Sequence, residues 1–410
     1  MSRQLVVTLM ILFCGLVPAR LFGDRPARLR DSLRSNLMNR VDLERIERGY
    51  YEQLLEAGRR LDDLADVPDM RLRGSSNGTW SVPLEDSPLV VRVEDVRELA
   101  LKPNDDAFKK GVHWHTNSLG MRDQPYSVAK PAQTFRIALV GDSIGAGWGV
   151  DVEERFESIL EQIWNARSRA AGGPAVEIVN CAVPGQSPGQ RWCHFSRVGW
   201  PMNPDLVIYQ STASDVGWDE RRLRFLLARG IGWDSPVYRA VLERSRLERL
   251  GSPDDYKRAL RPRHWEILAG VYQTMIADCQ RAGVPIIWVL IPRVGRPSDR
   301  PDQRSLLRAA KIAGFTRIID VSNAYDGLDP AGLSIEPDDF HPNPIAHERL
   351  AQWLDRSVGD LPELREIWNP VGRIGNGLAS AGSPRETMPR KISDNVADLV
   401  RPDGRTGEPR

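Results

Sequence analysis

Short apolar segments alternate with longer amphipathic segments between about residue 131 and residue 360. The apolar segments predict buried strands at 135–140, 176–179, 206–209, 286–291 and 316–321. The amphipathic segments predict helices at about 153–170, 187–198, 219–249, 254–282, 302–313 and 344–357. Strands that alternate with helices indicate a parallel sheet covered on both faces. We therefore predict an α/β fold with a central parallel sheet for residues 131–360.

The remaining segments have different patterns. Residues 24–130 predict an N-terminal extension, with an amphipathic helix within 24–70 and short strands within 80–101. Residues 371–410 are poor in large apolar side chains and rich in Gly, Ser, Pro and Arg, which predicts a disordered tail.

The N-terminus has the pattern of a targeting segment. Arg3 precedes an uncharged apolar run at 5–17, which is shorter than the ~20 apolar residues of a membrane-spanning helix. We predict that residues 1–23 are a signal peptide or an uncleaved anchor, and that the protein is exported to the periplasm or the extracellular space. Membrane attachment, if any, is expected only through residues 5–17.

Composition excludes several classes of protein. The chain has 410 residues, of which 41% are hydrophobic, so global disorder is excluded. Lys and Arg total 56 against 55 for Asp and Glu, which argues against a nucleic-acid partner held by bulk charge. The cysteines Cys181, Cys193 and Cys279 lack C-x-x-C spacing, so a zinc site has no support. They are either reduced thiols, which we favour, or include a Cys181–Cys193 bridge.

Candidate chemistry lies where the predicted strands end, which is where ligands bind in such sheets. The first strand leads into Gly141-Asp142-Ser143, and the second leads toward Gly185, whose N–H is a candidate donor. The third leads into the polar run Thr212-Ala213-Ser214-Asp215. His341 follows Asp338 by three positions, so that one turn would place both on one side. A hydroxyl, backbone donors, an imidazole and a carboxylate are the groups that acyl transfer needs.

These residues together resemble the SGNH hydrolase superfamily, the GDSL-like lipases and esterases. The resemblance implies a flavodoxin-like three-layer α/β/α fold with neither a metal nor an organic cofactor. It implies that Ser143 is the nucleophile, that His341 is the general base and that Asp338 is its partner, with Asp339 less favoured on spacing. It also implies that Ser143 and Gly185 donate to the oxyanion. The segment 117–122 is similar to the lead-in of some exported members.

The third block departs from the family pattern. The family's Gly-x-Asn-Asp corresponds here to Thr212-Ala213-Ser214-Asp215, so the glycine and the oxyanion-binding asparagine are both absent. The Ser214 hydroxyl is the candidate replacement donor, although it is shorter than the amide. Loss of an oxyanion donor costs about 10²–10³ in turnover.

Three functions follow from this pattern. The first is an exported serine esterase that hydrolyses an O-acyl ester, most simply one on a carbohydrate, through an acyl-enzyme. The second is an O-acyltransferase of the same fold that acts on a glycan. The third, suggested by the altered third block, is a degenerate glycan-binding protein without catalysis. Trp148, Trp200 and Trp218 fall near the predicted strand ends, where they either line the site or pack in the core.

Overall fold

The computed structural model describes residues 89–245, 247–337, 339–359 and 361–368. The predicted signal peptide or anchor at 1–23, the predicted helix within 24–70 and the predicted tail at 371–410 lie outside these residues. The domain boundaries proposed from the sequence therefore stay predictions.

Two small antiparallel strand pairs precede the main sheet. They are β1 (Val90–Arg92) with β2 (Leu99–Leu101), and β3 (Asp106–Lys109) with β4 (Val112–His115). Lys110 and Gly111 connect β3 to β4, and both have positive φ, 51° and 82°. Two such residues are typical of a type I′ hairpin turn. The N-terminal extension thus contributes a hairpin that lies near the candidate site described below.

The main sheet has five parallel strands. They are β5 (Thr134–Val140), β6 (Ala175–Asn180), β7 (Leu206–Ser211), β8 (Ile286–Leu290) and β9 (Ile318–Asp320). Their order is β6-β5-β7-β8-β9, so the strand that starts the sheet lies second from one edge. This order is that of flavodoxin-like folds. The prediction of a central parallel sheet is confirmed.

Nine helices of seven or more residues connect or follow these strands in the described residues. They are α1 (Phe156–Ala170), α2 (Pro188–Val198), α3 (Trp218–Ala228), α4 (Pro236–Ser245), α5 (Pro253–Leu260), α6 (His264–Ala282), α7 (Arg300–Ala313), α8 (Pro344–Val358) and α9 (Pro362–Trp368). Within the described ranges, no helix combines the length and the apolar character needed to cross a membrane.

Two of the predicted helices are each two helices. The helix predicted at 219–249 breaks between α3 and α4, where Gly230 and Gly232 have φ of 78° and 96°. The helix predicted at 254–282 breaks at Pro262, in a 3₁₀ turn between α5 and α6. Glycines in the left-handed region end one helix and a proline ends the other, while the apolar pattern of the sequence continues across both breaks.

Side chains alternate across the sheet and form two cores. Ile137 and Leu139 of β5 pack in a cluster with α1, α8 and α9. Ala138 and Val140 pack on the opposite face, in a cluster with α2 to α7. Because both faces of the sheet are covered by helices, the fold has the three α/β/α layers that the resemblance implies.

The described cysteines are free thiols. Cys181 and Cys279 are buried and Cys193 is half-buried. The structure thus contains no Cys181–Cys193 bridge, and the reduced state that the sequence favours is the one observed.

A cluster of acidic side chains lies between α1 and the edge strand β6. Arg155 pairs with Asp123 at 3.1 Å and with Glu157 at 2.8 Å. Glu161 accepts a hydrogen bond from the Ile178 N–H at 2.5 Å. Burial raises the pKa of Glu161 to about 7, and the hydrogen bond from Ile178 only partly opposes this effect. Folding therefore favours the protonated form of Glu161 between its unfolded pKa, near 4.5, and pH 7.

This raised pKa predicts a pH-dependent stability effect at Glu161. The contribution of Glu161 to the free energy of unfolding is fully present below pH 4.5 and is lost as the pH rises through 7, because the folded state then has to ionise a buried acid. The glutamine of Glu161→Gln does not ionise, so this variant does not lose stability for that reason. We expect the difference in unfolding free energy between wild type and variant to change by about 2 kcal/mol from pH 4.5 to pH 8. Urea unfolding at several pH values measures it, and the exposed Glu153→Gln is the control. A pH-independent difference would contradict the prediction.

Candidate active site

The loop after β5 is held by a reciprocal pair of hydrogen bonds. The Asp142 N–H donates to Gln210 Oε1 at 2.9 Å, and Gln210 Nε2 donates to Asp142 Oδ1 at 3.0 Å. Asp142 Oδ1 also accepts from the Ile144 N–H at 2.9 Å. A Cβ at Gly141 would lie 2.4 Å from Gln210 Oε1, so a side chain there would displace the amide that binds Asp142. These contacts fix the backbone on both sides of Ser143.

Ser143, His341 and Asp339 form a continuous chain of hydrogen bonds. The Ser143 Oγ lies 2.8 Å from His341 Nε2, and His341 Nδ1 lies 2.6 Å from Asp339 Oδ1. A carboxylate at Nδ1 favours the tautomer with its proton on Nδ1, which leaves Nε2 free to accept the serine proton. All three side chains are buried. This arrangement is that of a nucleophile, a base and an orienting acid.

The carboxylate in this chain is Asp339, whereas the spacing in the sequence favours Asp338. Asp338 lies outside the described residues. The spacing argument assumes a helical turn, but residues 339–341 are not helical. Instead Asp339 folds back on its own segment, because its Oδ1 also accepts the His341 N–H at 2.9 Å. The carboxylate that the structure places at His341 Nδ1 is therefore that of Asp339.

Opposing effects set the charge of Asp339. Burial alone would raise its pKa, but the neighbouring His341, the hydrogen bonds from its ring and backbone, and the Lys110 ammonium bring the pKa of Asp339 down to about 2. The carboxylate is therefore ionised throughout the neutral range. An ionised partner is what an imidazole needs when it accepts a proton.

Two backbone donors lie in the loops expected from the sequence. Within the described residues, neither the Ser143 N–H nor the Gly185 N–H donates to a protein acceptor. Gly185 has φ of 76°, and its carbonyl accepts from Trp218 Nε1 at 3.3 Å and from Arg222 Nη2 at 3.1 Å. The carbonyl of Gly185 is thus anchored while its N–H stays available. Backbone N–H groups without a protein acceptor are the kind of donor that can bind an oxyanion.

The altered third block, Thr212-Ala213-Ser214-Asp215, supports the segment Gly141-Asp142-Ser143. Thr212 Oγ1 donates to Asp142 Oδ2 at 3.1 Å and accepts the Ser214 N–H at 3.3 Å. Asp215 is buried and pairs with Arg191 at 2.9 Å. Ser214 is half-buried, and its hydroxyl makes no hydrogen bond to the described part of the chain. Of this block, only Ser214 thus has a polar side chain without a structural partner.

The three tryptophans named from the sequence have different roles. The Trp148 ring lies 6.2 Å from the His341 ring, and Trp218 bonds to Gly185 as described. Trp200 packs on Trp192 and Phe195 in the core, with a ring distance of 4.7 Å to Phe195. Trp148 and Trp218 are both buried, so they support the site rather than present an open indole face.

Arg122 is a structural residue of the site to which the sequence assigned no separate role. Its guanidinium donates to the carbonyls of Ala146, Gly147 and Val150 at 2.8, 2.5 and 2.7 Å. It also lies 4.2 Å from the Trp114 ring. Burial and the neighbouring Arg155 lower the pKa of Arg122 to about 9, so it is still charged at neutral pH. One side chain thereby holds the loop that follows Ser143.

Comparisons with known proteins identify related sequences and structures. Residues 139–349 match the model of the GDSL-like Lipase/Acylhydrolase family. No curated protein matches the chain. Among solved structures, the chain is similar to the acetyl xylan esterase AlAXEase, with 14% identity over 55% of this chain and 100% of the other, and a TM-score of 0.36. The lipase/acylhydrolase from Enterococcus faecalis has 19% identity over 55% of this chain and 95% of its own, with a TM-score of 0.33.

The contacts of Arg122 predict a large effect of its removal. Arg122→Met leaves several buried carbonyls without a donor, so we expect the free energy of unfolding to fall by about 3 kcal/mol. The exposed Arg169→Met is the matched control and is expected to change stability by less than about 0.5 kcal/mol. Chemical denaturation of both variants measures the difference. Equal stabilities of the two variants would show that the carbonyls find other donors.

Proposed function

Because this chain belongs to the GDSL-like Lipase/Acylhydrolase family, whose members hydrolyse ester bonds, we propose that Ser143, His341 and Asp339 are its catalytic triad. The observation that supports the proposal is the unbroken hydrogen-bond chain Ser143 Oγ–His341–Asp339, with distances of 2.8 and 2.6 Å. Both ends of the imidazole are engaged, so that it is oriented for proton transfer before substrate binds.

In the first step His341 Nε2 takes the Ser143 proton as Oγ attacks the ester carbonyl carbon. The carbonyl oxygen becomes an oxyanion, which the N–H groups of Ser143 and Gly185 stabilise together with the Ser214 hydroxyl. The C–O bond to the alcohol then breaks, and the alcohol leaves with the proton from His341. This step leaves an acyl group on Ser143.

In the second step water attacks the acyl-enzyme while His341 Nε2 takes one of its protons. The second tetrahedral intermediate collapses, and Ser143 recovers its proton from His341 as the carboxylic acid departs. Asp339 stays ionised and stabilises the imidazolium in both steps.

We also propose that the substrate is an O-acyl ester on a carbohydrate and that the protein is exported. Both are expectations from the sequence, and neither depends on the triad. Hydrolysis of acetylated oligosaccharides compared with short-chain aryl esters tests the substrate class. Cell fractionation of the full chain, with Arg3 and the apolar run at 5–17 intact, tests export.

A fluorophosphonate probe tests the proposed triad directly. We expect the probe to label the wild type, and to label neither Ser143→Ala nor His341→Ala, because the serine is nucleophilic only when the imidazole accepts its proton. Ser158→Ala is the control, since this serine lies on helix α1. Labelling of Ser143→Ala would mean that another residue is the nucleophile, and no labelling of a folded wild type would favour the degenerate binding protein.

The assignment of the acid predicts a contrast between adjacent residues. Asp339→Asn is expected to lower kcat by about 10³- to 10⁴-fold, because an amide at Nδ1 favours the wrong tautomer. Asp338→Asn is the matched control and is expected to keep kcat within about twofold, a change smaller than 0.5 kcal/mol. Steady-state hydrolysis of an aryl acetate measures both. The reverse order of effects would return the role to Asp338.

The altered third block predicts that Ser214 contributes to turnover. Ser214→Ala is expected to lower kcat by about 10²-fold with little change in KM, because the oxyanion develops in the transition state and is absent from the bound substrate. Full kcat in this variant would mean that Ser143 and Gly185 suffice as donors. The exposed Ser127→Ala serves as the control for small surface effects.

A further inference from the structure

A lysine from the N-terminal hairpin reaches the proposed triad. Lys110 Nζ lies 3.0 Å from Glu336 Oε2 and 3.9 Å from Asp339 Oδ2. Its side chain is only 13% exposed, although it lies at the tip of a hairpin. The hairpin precedes residues 139–349, so this contact comes from outside the part of the chain that matches the family model.

The two oxygens of Asp339 have different partners. Oδ1 accepts both hydrogen bonds from His341, and Oδ2 is the oxygen that faces Lys110. A separation of 3.9 Å is too long for a hydrogen bond, so the ammonium acts on Oδ2 by charge attraction. Glu336 holds the ammonium in place through the shorter contact. The carboxylate of Asp339 is therefore held from both sides.

The conformation of the turn gives no reason for a lysine at position 110. With φ of 51° it occupies the left-handed region, which is unfavourable for a residue with a Cβ. The first central position of a type I′ turn favours Asn, Asp or Gly. Residues kept in a disfavoured conformation tend to have a function that offsets the strain.

Other cations near this segment have different partners. Arg293 lies 5.0 Å from the Phe340 ring and pairs with Asp299 at 2.6 Å, and Lys109 Nζ lies 5.8 Å from the Trp148 ring. In the described part of the chain, Lys110 is the one lysine or arginine within 4 Å of Asp339. The ionic environment of the acid thus depends on this side chain.

We propose that Lys110 is a positioning residue of the active site, which holds Asp339 Oδ2 so that Oδ1 stays on His341 Nδ1. This inference rests on the proposed triad. It assigns the N-terminal hairpin a role in turnover, because the hairpin supplies the cation that orients the acid. A positioning residue of this kind acts through Asp339, so we expect Lys110 to affect the rate of the chemical step rather than binding.

Three substitutions at position 110 separate this role from a structural one. Lys110→Asn removes the ammonium and favours the turn, Lys110→Met removes it at similar length, and Lys110→Arg keeps the charge. We expect Asn and Met to lower kcat for an aryl acetate by about tenfold, because a misplaced acid no longer orients the imidazole. KM should change by less than about twofold, and Arg should restore most of kcat. The exposed Lys311→Met is the control and should match wild type.

Thermal unfolding completes the test. Because Asn suits the left-handed turn, Lys110→Asn should have a Tm equal to or above that of wild type while its kcat falls. A kcat equal to wild type in Lys110→Asn would overturn the inference. So would a kcat in Lys110→Arg as low as that of Lys110→Met.

A substitution of Glu336, the partner of Lys110, tests the inference even if Lys110→Asn and Lys110→Met both fail to fold. Glu336→Gln weakens the hold on the ammonium without changing the turn, and it should lower kcat by about threefold at unchanged KM. An unchanged kcat in this variant would overturn the inference. If the wild type shows no hydrolysis that depends on Ser143, the proposed triad itself is wrong. If the wild type is active and the variants at position 110 have the same kcat, only the role of Lys110 is wrong.

Discussion

The pair of hydrogen bonds between Asp142 and Gln210 fixes the loop that carries Ser143. Parallel strands bring the loops after β5 and β7 to the same edge of the sheet, but pairing within the sheet ends before Ser143. The amide of Gln210 continues the connection, because it binds both the N–H and the carboxylate of Asp142. Thr212 adds a third contact from the same loop. The geometry at Ser143 therefore depends on side chains that replace the missing sheet hydrogen bonds.

The site also depends on residues that precede the family-matched region. Arg122 satisfies carbonyls of the loop that follows Ser143, and it packs on Trp114, which in turn contacts Trp148 at a ring distance of 5.3 Å. Trp148 forms one side of the environment of His341. The strand pairs before β5 are therefore part of the support of the site. A chain reduced to residues 139–349 would lack Arg122, whose donors those carbonyls need.

The sequence predicted the sheet well because each buried strand is a short apolar run with polar residues at its end. It singled out Ser143 as a candidate because this residue follows a buried strand, and His341 because it is one of six histidines and lies in a turn before a helix. It favoured Asp338 over Asp339, because the spacing argument assumes a regular turn, whereas the segment 339–341 is irregular. Lys110 was missed because a lysine in a hairpin turn is normally a solvated residue, and Glu336 lies 226 positions from it along the chain. The helix breaks at Gly230 and Pro262 were missed because the amphipathic pattern continues across them.

Two buried acidic residues close to Ser143 raise an electrostatic problem that Arg191 of α2 offsets. Asp142 and Asp215 are both buried near a position where negative charge develops during ester cleavage, and uncompensated carboxylates there would oppose it. Arg191 lies between them, 3.6 Å from Asp142 Oδ2 and 2.9 Å from Asp215 Oδ1. The Thr212 hydroxyl donates to the same Oδ2 of Asp142, and the Ser211 hydroxyl donates to Asp215 Oδ2. Burial raises the pKa of Asp215 to about 6 even though Arg191 lowers it, which reduces its charge further at mildly acidic pH. Arg191 thus offsets the charge of two buried carboxylates, of which Asp215 belongs to the third block and Asp142 directly precedes Ser143.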